Sequence, residues 1–172
     1  DQELYEKIVD RYESKKSNED LFIMSISMQN HGGYTEKYDN FDEKARMLGI
    51  NYPDVNQYLS LIHESDSALE YLISYFEKVD DPVEIVFFGD HQPSLSSSFY
   101  PYLNGKGLGG LTLSELENLY TVPFFIWTNY DSGKESVELT SLNYLSTLAL
   151  ERAGIALPAY NQFLADMMEE IP

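Results

Sequence analysis

The stretch VEIVFFGDHQP, residues 83–93, decides the fold class of this chain. It opens with a mostly apolar run of strand length, and the glycine that follows ends the run in a turn. Such a continuous apolar strand is typical of a sheet covered on both faces. Asp90 and His91 then fall at the carboxyl end of the strand, the edge of an open α/β sheet where ligands bind.

A carboxylate oxygen beside an imidazole nitrogen on a rigid strand end suits a divalent metal ion. Asp90 and His91 also have a plain structural interpretation, because a turn aspartate accepts backbone N–H bonds and the histidine packs beside it. Residues 21–34, LFIMSISMQNHGGY, favour a ligand site over a structural turn, since they predict a second buried strand that runs into His31. If the strands are parallel, the three side chains face one crevice and predict a shared anion or metal site.

The other predicted elements supply helical crossovers and a third strand. Helices are predicted at residues 1–13, 54–78, 111–120, 141–153 and 159–171, and an apolar strand at 122–127. Strands alternating with helices predict an α/β fold with a mostly parallel sheet flanked by helices. Three strands make a thin sheet with an uncovered edge, so we expect the chain to be part of a larger domain.

Two carboxylates of the helix 54–78 are predicted to have structural roles. Asp54 follows a proline and is placed to cap the helix start. Asp66 falls within the apolar stripe, where an unpaired carboxylate is costly, so we expect it to fasten a loop by accepting backbone N–H bonds. His63 lies off the stripe and is predicted to be solvated.

Composition excludes several classes of protein. The net charge is −18, from 29 acidic and 11 basic residues, which argues against nucleic-acid binding. The same field repels a phosphate or sulfate substrate unless a bound cation reverses its sign locally. There is no cysteine, and no apolar stretch is long enough to span a membrane. The chain begins at Asp1 without a methionine, which suggests an excised or mature fragment.

No other catalytic pattern competes with the histidine segments. The sequence has no Gly-x-Ser-x-Gly elbow, no His-Glu-x-x-His pair and no phosphate-binding glycine fingerprint. The glycines of residues 105–110 lie far beyond the end of the preceding strand, so they do not form the tight strand–glycine–helix turn of that fingerprint. An activated nucleophile is therefore not identified within these 172 residues.

The quoted segments resemble those of lipoteichoic acid synthase-like phosphoglycerol transferases, which belong to the sulfatase branch of the alkaline phosphatase superfamily. SMQNHGGY at 27–34 is similar to that family's MQNHGPY segment, with Gly33 where proline is common. FFGDHQPSL at 87–95 is similar to its GDHxPxL segment. Residues 58–69 are similar to the family's helix between these two segments, and residues 122–129 and 143–154 are similar to the two segments that follow them. The resemblance covers nearly the whole chain.

The resemblance implies a role for each candidate residue. Asp90 and His91 would be ligands of a catalytic divalent metal, usually manganese, and His31 would bind the substrate phosphate. The family's nucleophile and a further acidic metal ligand precede the His31 motif, and the 30 residues before His31 here do not form that pattern. Residues 1–172 would thus be a single domain, the C-terminal part of a sulfatase-like fold without its nucleophile-bearing N-terminal half, holding metal weakly or not at all.

The function implied for the parent protein is transfer or hydrolysis of phosphate or sulfate esters, such as a glycerol-phosphate lipid. It would act at the extracellular face of the cell membrane, anchored by N-terminal membrane helices absent from this chain. The chain alone would be inactive. The alternative is a non-catalytic module that binds a metal, a glycan or a partner through the same crevice. Phosphoglycerol, phosphoethanolamine and sulfate are not distinguished.

Overall fold

The structure, a computed structural model, describes residues 1–36 and 38–171. The helices are α1 Gln2–Glu13, α2 Pro53–Phe76, α3 Phe99–Asn104, α4 Leu113–Glu117, α5 Leu145–Arg152 and α6 Ala159–Glu170, with 3₁₀ turns at Leu108–Gly110 and Leu142–Tyr144, and the strands are β1 Glu84–Phe88 and β2 Phe124–Thr128. The chain divides into two compact units, residues 1–78 with 90–122, and residues 79–89 with those from 123 onward. Within the described ranges, no helix has the length and apolarity that crossing a bilayer requires.

In the first unit, α1 packs along α2. Tyr5 and Val9 of α1 and Leu72 and Phe76 of α2 are buried, each pair one helical turn apart on the same face. The ring of Tyr12 meets that of Phe76 edge to face, with centroids 5.2 Å apart. This aromatic contact holds the C-terminal ends of the two helices together.

The N-terminal half of α2 buries polar side chains rather than only apolar ones. Asn56, Gln57, Ser60 and Ser65 are all buried, whereas Asp66 is exposed. The prediction that Asp66 fastens a loop is therefore wrong. The buried face passes through the preceding residue, because the helix register turns Ser65 inward and Asp66 to solvent. His63 is exposed, as predicted.

In the second unit, β1 and β2 form a two-stranded sheet. The strands are antiparallel, with Glu84 opposite Thr128 and Phe88 opposite Phe124. Phe87 stacks on its cross-strand partner at 5.3 Å between centroids. Both strands were predicted, but the mostly parallel sheet is not confirmed by this pair. The chain leaves β1 at its C-terminal end, and residues 89–123 bring it back to that same end, where β2 begins. This is the connection that an antiparallel neighbour requires.

Residues 21–28 form no strand, which corrects the second prediction of a buried strand. Their apolar side chains lie open to solvent: Phe22 is 91% exposed, Met24 72% and Ile26 71%. A strand exists only where a neighbour completes its backbone hydrogen bonds, and the described residues provide none here. The apolar pattern is thus present in the sequence without the surface that would bury it.

Helices α5 and α6 complete the second unit. Tyr144, Leu145 and Leu164 are buried between them, and the fully buried Thr147 hydroxyl accepts a hydrogen bond from the Asn161 amide at 3.0 Å. Gly154 follows α5 with φ +68°, a conformation that confirms its predicted role in ending the helix.

Candidate functional site

Asp90 and His91 directly follow β1 and Gly89, and both side chains are exposed. Asp90 Oδ1 accepts the backbone N–H of His91 at 2.9 Å. The His91 Nδ1–H donates to the carbonyl of Gln92, also at 2.9 Å, which fixes the tautomer because a carbonyl only accepts. The remaining atoms, Asp90 Oδ2 and His91 Nε2, lie 3.7 Å apart and form an ion pair when the ring is protonated. The backbone thus holds one atom of each side chain and leaves the other two within reach of one shared ligand.

The segment after His91 is fastened at several points within the first unit. The side-chain amide of Gln92 donates to the carbonyl of Thr121. The hydroxyl of Tyr100 donates to the carbonyl of Pro93 at 3.0 Å. The N–H of Ser96 donates to the carboxylate of Asp54 at 2.7 Å. Asp54 is therefore an anchor for this loop and not the predicted helix cap; α2 begins after Tyr52 without a side-chain cap.

His31 lies in a turn that closes through its own N–H, which donates to the Met28 carbonyl at 3.1 Å. The flanking side chains reach α2: the amide nitrogens of Gln29 and Asn30 lie 3.1 and 2.8 Å from the Ser65 hydroxyl. His31 itself is exposed, and its ring forms no hydrogen bond with the described residues. The loop is therefore fixed while its imidazole stays available to a ligand.

A tyrosine closes the other side of the His31 loop. The buried Tyr34 donates its hydroxyl to the carbonyl of Asn30 at 2.6 Å, and its ring meets that of Tyr58 at 5.5 Å. Burial raises the pKa of Tyr34, and the neighbouring Tyr58 and Tyr100 hydroxyls raise it further. Since Tyr100 fastens Pro93, the tyrosines that hold the two candidate loops lie within electrostatic range of each other.

The structure brings Asp90 and His91 together but adds no further ligand from the described residues. No group of three or more His, Asp or Glu side chains is placed there to hold one ion. His31 is thus not a third ligand of that pair. The donor types still fit a divalent ion, because oxygen and nitrogen ligands with bonds of about 2.1 Å lie about 3.4 Å apart on a tetrahedral centre. The 3.7 Å pair is close to that separation.

The polar residues of α2 that anchor residues 44–47 of the irregular connection were missed by sequence reasoning. Asn56 accepts the N–H of Met47 at 2.9 Å, and Ser60 accepts that of Ala45 at 3.0 Å. Asn56 and Ser60 are four residues apart, one turn of the helix, on the side of α2 that faces the irregular connection. That spacing was the available signal: a long unstructured segment must satisfy its backbone groups, and a polar stripe on the next helix can do so.

Comparison with known proteins identifies the family of this chain. The profile of the family described as Sulfatase matches residues 1–155. A Rhizobium meliloti (strain 1021) protein named for cyclic beta-1,2-glucan modification is 23% identical over 157 residues, 87% of this chain and 24% of that protein. The capsular polysaccharide biosynthesis protein RkpI of the same strain is 34% identical over 102 residues, 59% of this chain and 17% of RkpI. No solved structure matches the chain significantly.

The chain spans a quarter or less of the length of these two relatives. The profile match nevertheless includes both candidate loops, with His31 and the pair Asp90–His91, and nearly all of the chain around them. It does not select the lipoteichoic acid synthase-like branch that the sequence segments resemble. The chain belongs to the Sulfatase family, whose domains have an alkaline phosphatase-like α/β fold.

Proposed function

We propose that residues 1–172 are the C-terminal part of a catalytic domain that transfers or hydrolyses phosphate or sulfate esters, phosphoglycerol transfer being the activity favoured by the sequence segments. Asp90 and His91 hold a divalent metal ion, manganese in the first instance. The observation that carries the proposal is their geometry: Oδ2 and Nε2 lie 3.7 Å apart, while the backbone engages the other polar atom of each side chain.

A divalent ion in that position would neutralise negative charge on the reacting ester oxygens. The Nδ1–H bond from His91 to the Gln92 carbonyl holds the ring in the tautomer whose Nε2 can act as a ligand. His31 would donate a hydrogen bond to a non-bridging oxygen of the substrate, a role that its exposed, unengaged ring permits. Each residue therefore has one chemical task.

The proposed partner of this chain is the N-terminal half of the same domain, which would supply the nucleophile and the remaining metal ligands. Residues 21–28 support this proposal, because their exposed side chains, such as Phe22 and Met24, form an apolar surface that monomeric proteins rarely leave open. A sheet strand from the missing half would cover them. The isolated chain is accordingly proposed to be inactive.

The names of the two relatives favour a function at the cell envelope. One is named for glucan modification and the other for capsular polysaccharide biosynthesis. We propose that the parent protein acts at the extracellular face of the membrane, held there by membrane helices outside these residues. Its substrate would be a glycerol-phosphate lipid or a related ester, and its acceptor would be a glycan.

The test is activity of the full-length protein with manganese on a glycerol-phosphate lipid and on an aryl sulfate. His91→Ala should abolish turnover and lower the metal content. His31→Ala should retain metal and lose about 10²- to 10³-fold in kcat. His63→Ala, which changes an exposed histidine of α2, is the control and should leave both unchanged. Metal binding without turnover of either ester would favour the non-catalytic module instead.

The same variants also test which histidine binds the metal and which binds the substrate. If His31→Ala released the metal while His91→Ala retained it, the roles given to the two histidines would be exchanged. If the isolated 172-residue chain turned over either ester, the nucleophile would lie within it, and the half-domain proposal would fail.

A further inference from the structure

We propose that Ser65 is the positioning residue of the His31 loop. The proposal rests on the proposed function, in which His31 donates to the substrate. Ser65 lies near the middle of α2 and is 9% exposed. It does not touch the candidate ligand atoms itself. Its role would be exerted through the two residues that precede His31 in the chain.

The hydrogen-bonding capacity of the Ser65 hydroxyl is fully used. The hydroxyl accepts from the Gln29 amide at 3.1 Å and from the Asn30 amide at 2.8 Å. It donates to the carboxylate of Asp1 at 2.6 Å. A serine hydroxyl offers one donor and two acceptor sites, so these three bonds saturate it. Such a junction fixes the orientation of both amides at once.

The second fixed point lies just beyond His31. Tyr34 binds the Asn30 carbonyl from the other side, and Gly33 between them adopts φ +104°, a conformation that other residues rarely take. The turn is thus held through the side chain and the carbonyl of Asn30. Within this turn, the imidazole of His31 is left to face a ligand.

Loss of the Ser65 hydroxyl should release the loop rather than unfold α2. The Gln29 amide nitrogen would keep its bond to the Leu61 carbonyl at 3.2 Å, and the Asn30 amide nitrogen would lose its partner. A displacement of about 1 Å at a group that orients substrate can lower the rate about 100-fold. Loss of the Ser65 hydroxyl should therefore lower kcat, because His31 is proposed to act on the substrate during turnover.

Two serines of the same helix are matched controls. Ser60 is fully buried and accepts the N–H groups of Lys44 and Ala45, so it holds a different segment. Ser67 donates only to the His63 carbonyl within the helix and is exposed. Ser60→Ala tests the effect of losing a buried anchor elsewhere, and Ser67→Ala tests loss of a hydroxyl without an anchor.

The experiment uses the full-length protein and two readouts, kcat and KM with manganese, and amide hydrogen exchange resolved by peptide. Ser65→Ala should lower kcat about 10- to 100-fold, with a smaller change in KM, and increase exchange over residues 29–34 only. Ser65→Thr keeps the hydroxyl and should restore both readouts. Ser60→Ala should increase exchange near residues 44–47 without lowering kcat comparably.

Unchanged kcat, or unchanged exchange over residues 29–34, in Ser65→Ala would overturn the proposal. So would a kcat loss in Ser60→Ala as large as that in Ser65→Ala. If Ser65→Ala does not fold, Gln29→Met removes one of the two amides and should give a smaller change in the same readouts, and no change would overturn it. If the wild type is inactive on every ester tested, the proposed function fails, and exchange alone decides whether Ser65 orders the loop.

Discussion

The carboxylate of Asp54 accepts the backbone N–H of Ser96 at 2.7 Å and so ties the first turn of α2 to the segment that follows His91. About three turns further along the same helix, Ser65 holds the amides that precede His31. A single helix therefore anchors both candidate loops of the first unit. The positions of the two histidine segments depend on the same rigid element, although neither segment belongs to it.

Replacing Asp54 by alanine should loosen the segment after His91. The Ser96 N–H would lose a charged acceptor in a partly buried site, which should cost about 1–2 kcal/mol in the free energy of unfolding. Asp54→Asn retains an acceptor oxygen and should cost less. Asp66→Ala is the control on the same helix, because that carboxylate is exposed. Urea melts would measure all three; an equal loss for Asp66→Ala would contradict the helix register described here.

The sequence predicted the elements whose signals are local. The apolar run before Gly89 is strand β1, and the spacing of apolar residues gave the two long helices within a few residues of their ends. Gly154 ends α5 as predicted. These features depend on turn chemistry and helical periodicity, which act over a few residues and do not require knowledge of distant neighbours.

Residues 21–28 show where local signals are insufficient. Their pattern is that of a buried strand, yet Phe22 is 91% exposed and no strand forms. A strand needs hydrogen-bonding partners from another segment, and no local pattern records whether that segment is present. Asp66 was predicted to anchor a loop, whereas the structure shows Ser65 in that role. The cause is related, because a shift of one residue in helix register decides which side chain faces the loop.

Manganese titration of the 172-residue chain should reveal no submicromolar site. Asp90 and His91 provide two ligands, whereas stable protein sites use three or four. Calorimetry should therefore show weak heats that saturate only at high metal concentration, and His91→Ala should remove them. A submicromolar site that His91→Ala abolishes would mean that further ligands come from within this chain. His63→Ala should leave the isotherm unchanged.

The carboxyl group of Glu84 should make the second unit less stable as the pH rises. Burial raises the pKa of Glu84, with Arg152 opposing, and its buried Oε2 has no hydrogen-bond partner among the described residues. The folded chain then binds more protons than the unfolded chain between the ordinary carboxyl pKa and the raised value, so stability falls with rising pH across that window.

Glu84→Gln should remove this pH dependence. At pH 7 the variant should be more stable than the wild type by about 0.5–1 kcal/mol, a figure already reduced for partial exposure. Below the ordinary carboxyl pKa, the two proteins should have equal stability. The exposed Glu138→Gln serves as the control. Denaturant melts between pH 4 and 8 would decide, and a variant less stable at pH 7 would show that Glu84 has a partner in solution.

Glu115 should titrate far below an ordinary glutamate. Its carboxylate accepts from Lys106 at 2.7 Å, from the Thr112 N–H at 2.7 Å and from the Thr112 hydroxyl at 2.8 Å, and these bonds lower the pKa of Glu115 to about 2. The Thr112 contacts form the capping box at the start of α4. Because the folded-state pKa is depressed, the stabilisation is present above the ordinary pKa of about 4.3 and is lost as the pH falls toward 2.

Carboxyl-carbon NMR can test this directly. The Glu115 resonance should titrate near pH 2. Lys106→Met should raise the Glu115 midpoint, since the bond from Lys106 is the largest cause of the shift. Added salt should raise the Glu115 midpoint by a smaller amount. Screening weakens the attraction of the exposed Lys106–Glu115 pair, whereas the Thr112 hydrogen bonds persist. A midpoint near 4.3 in the wild type would show that the capping box does not form in solution.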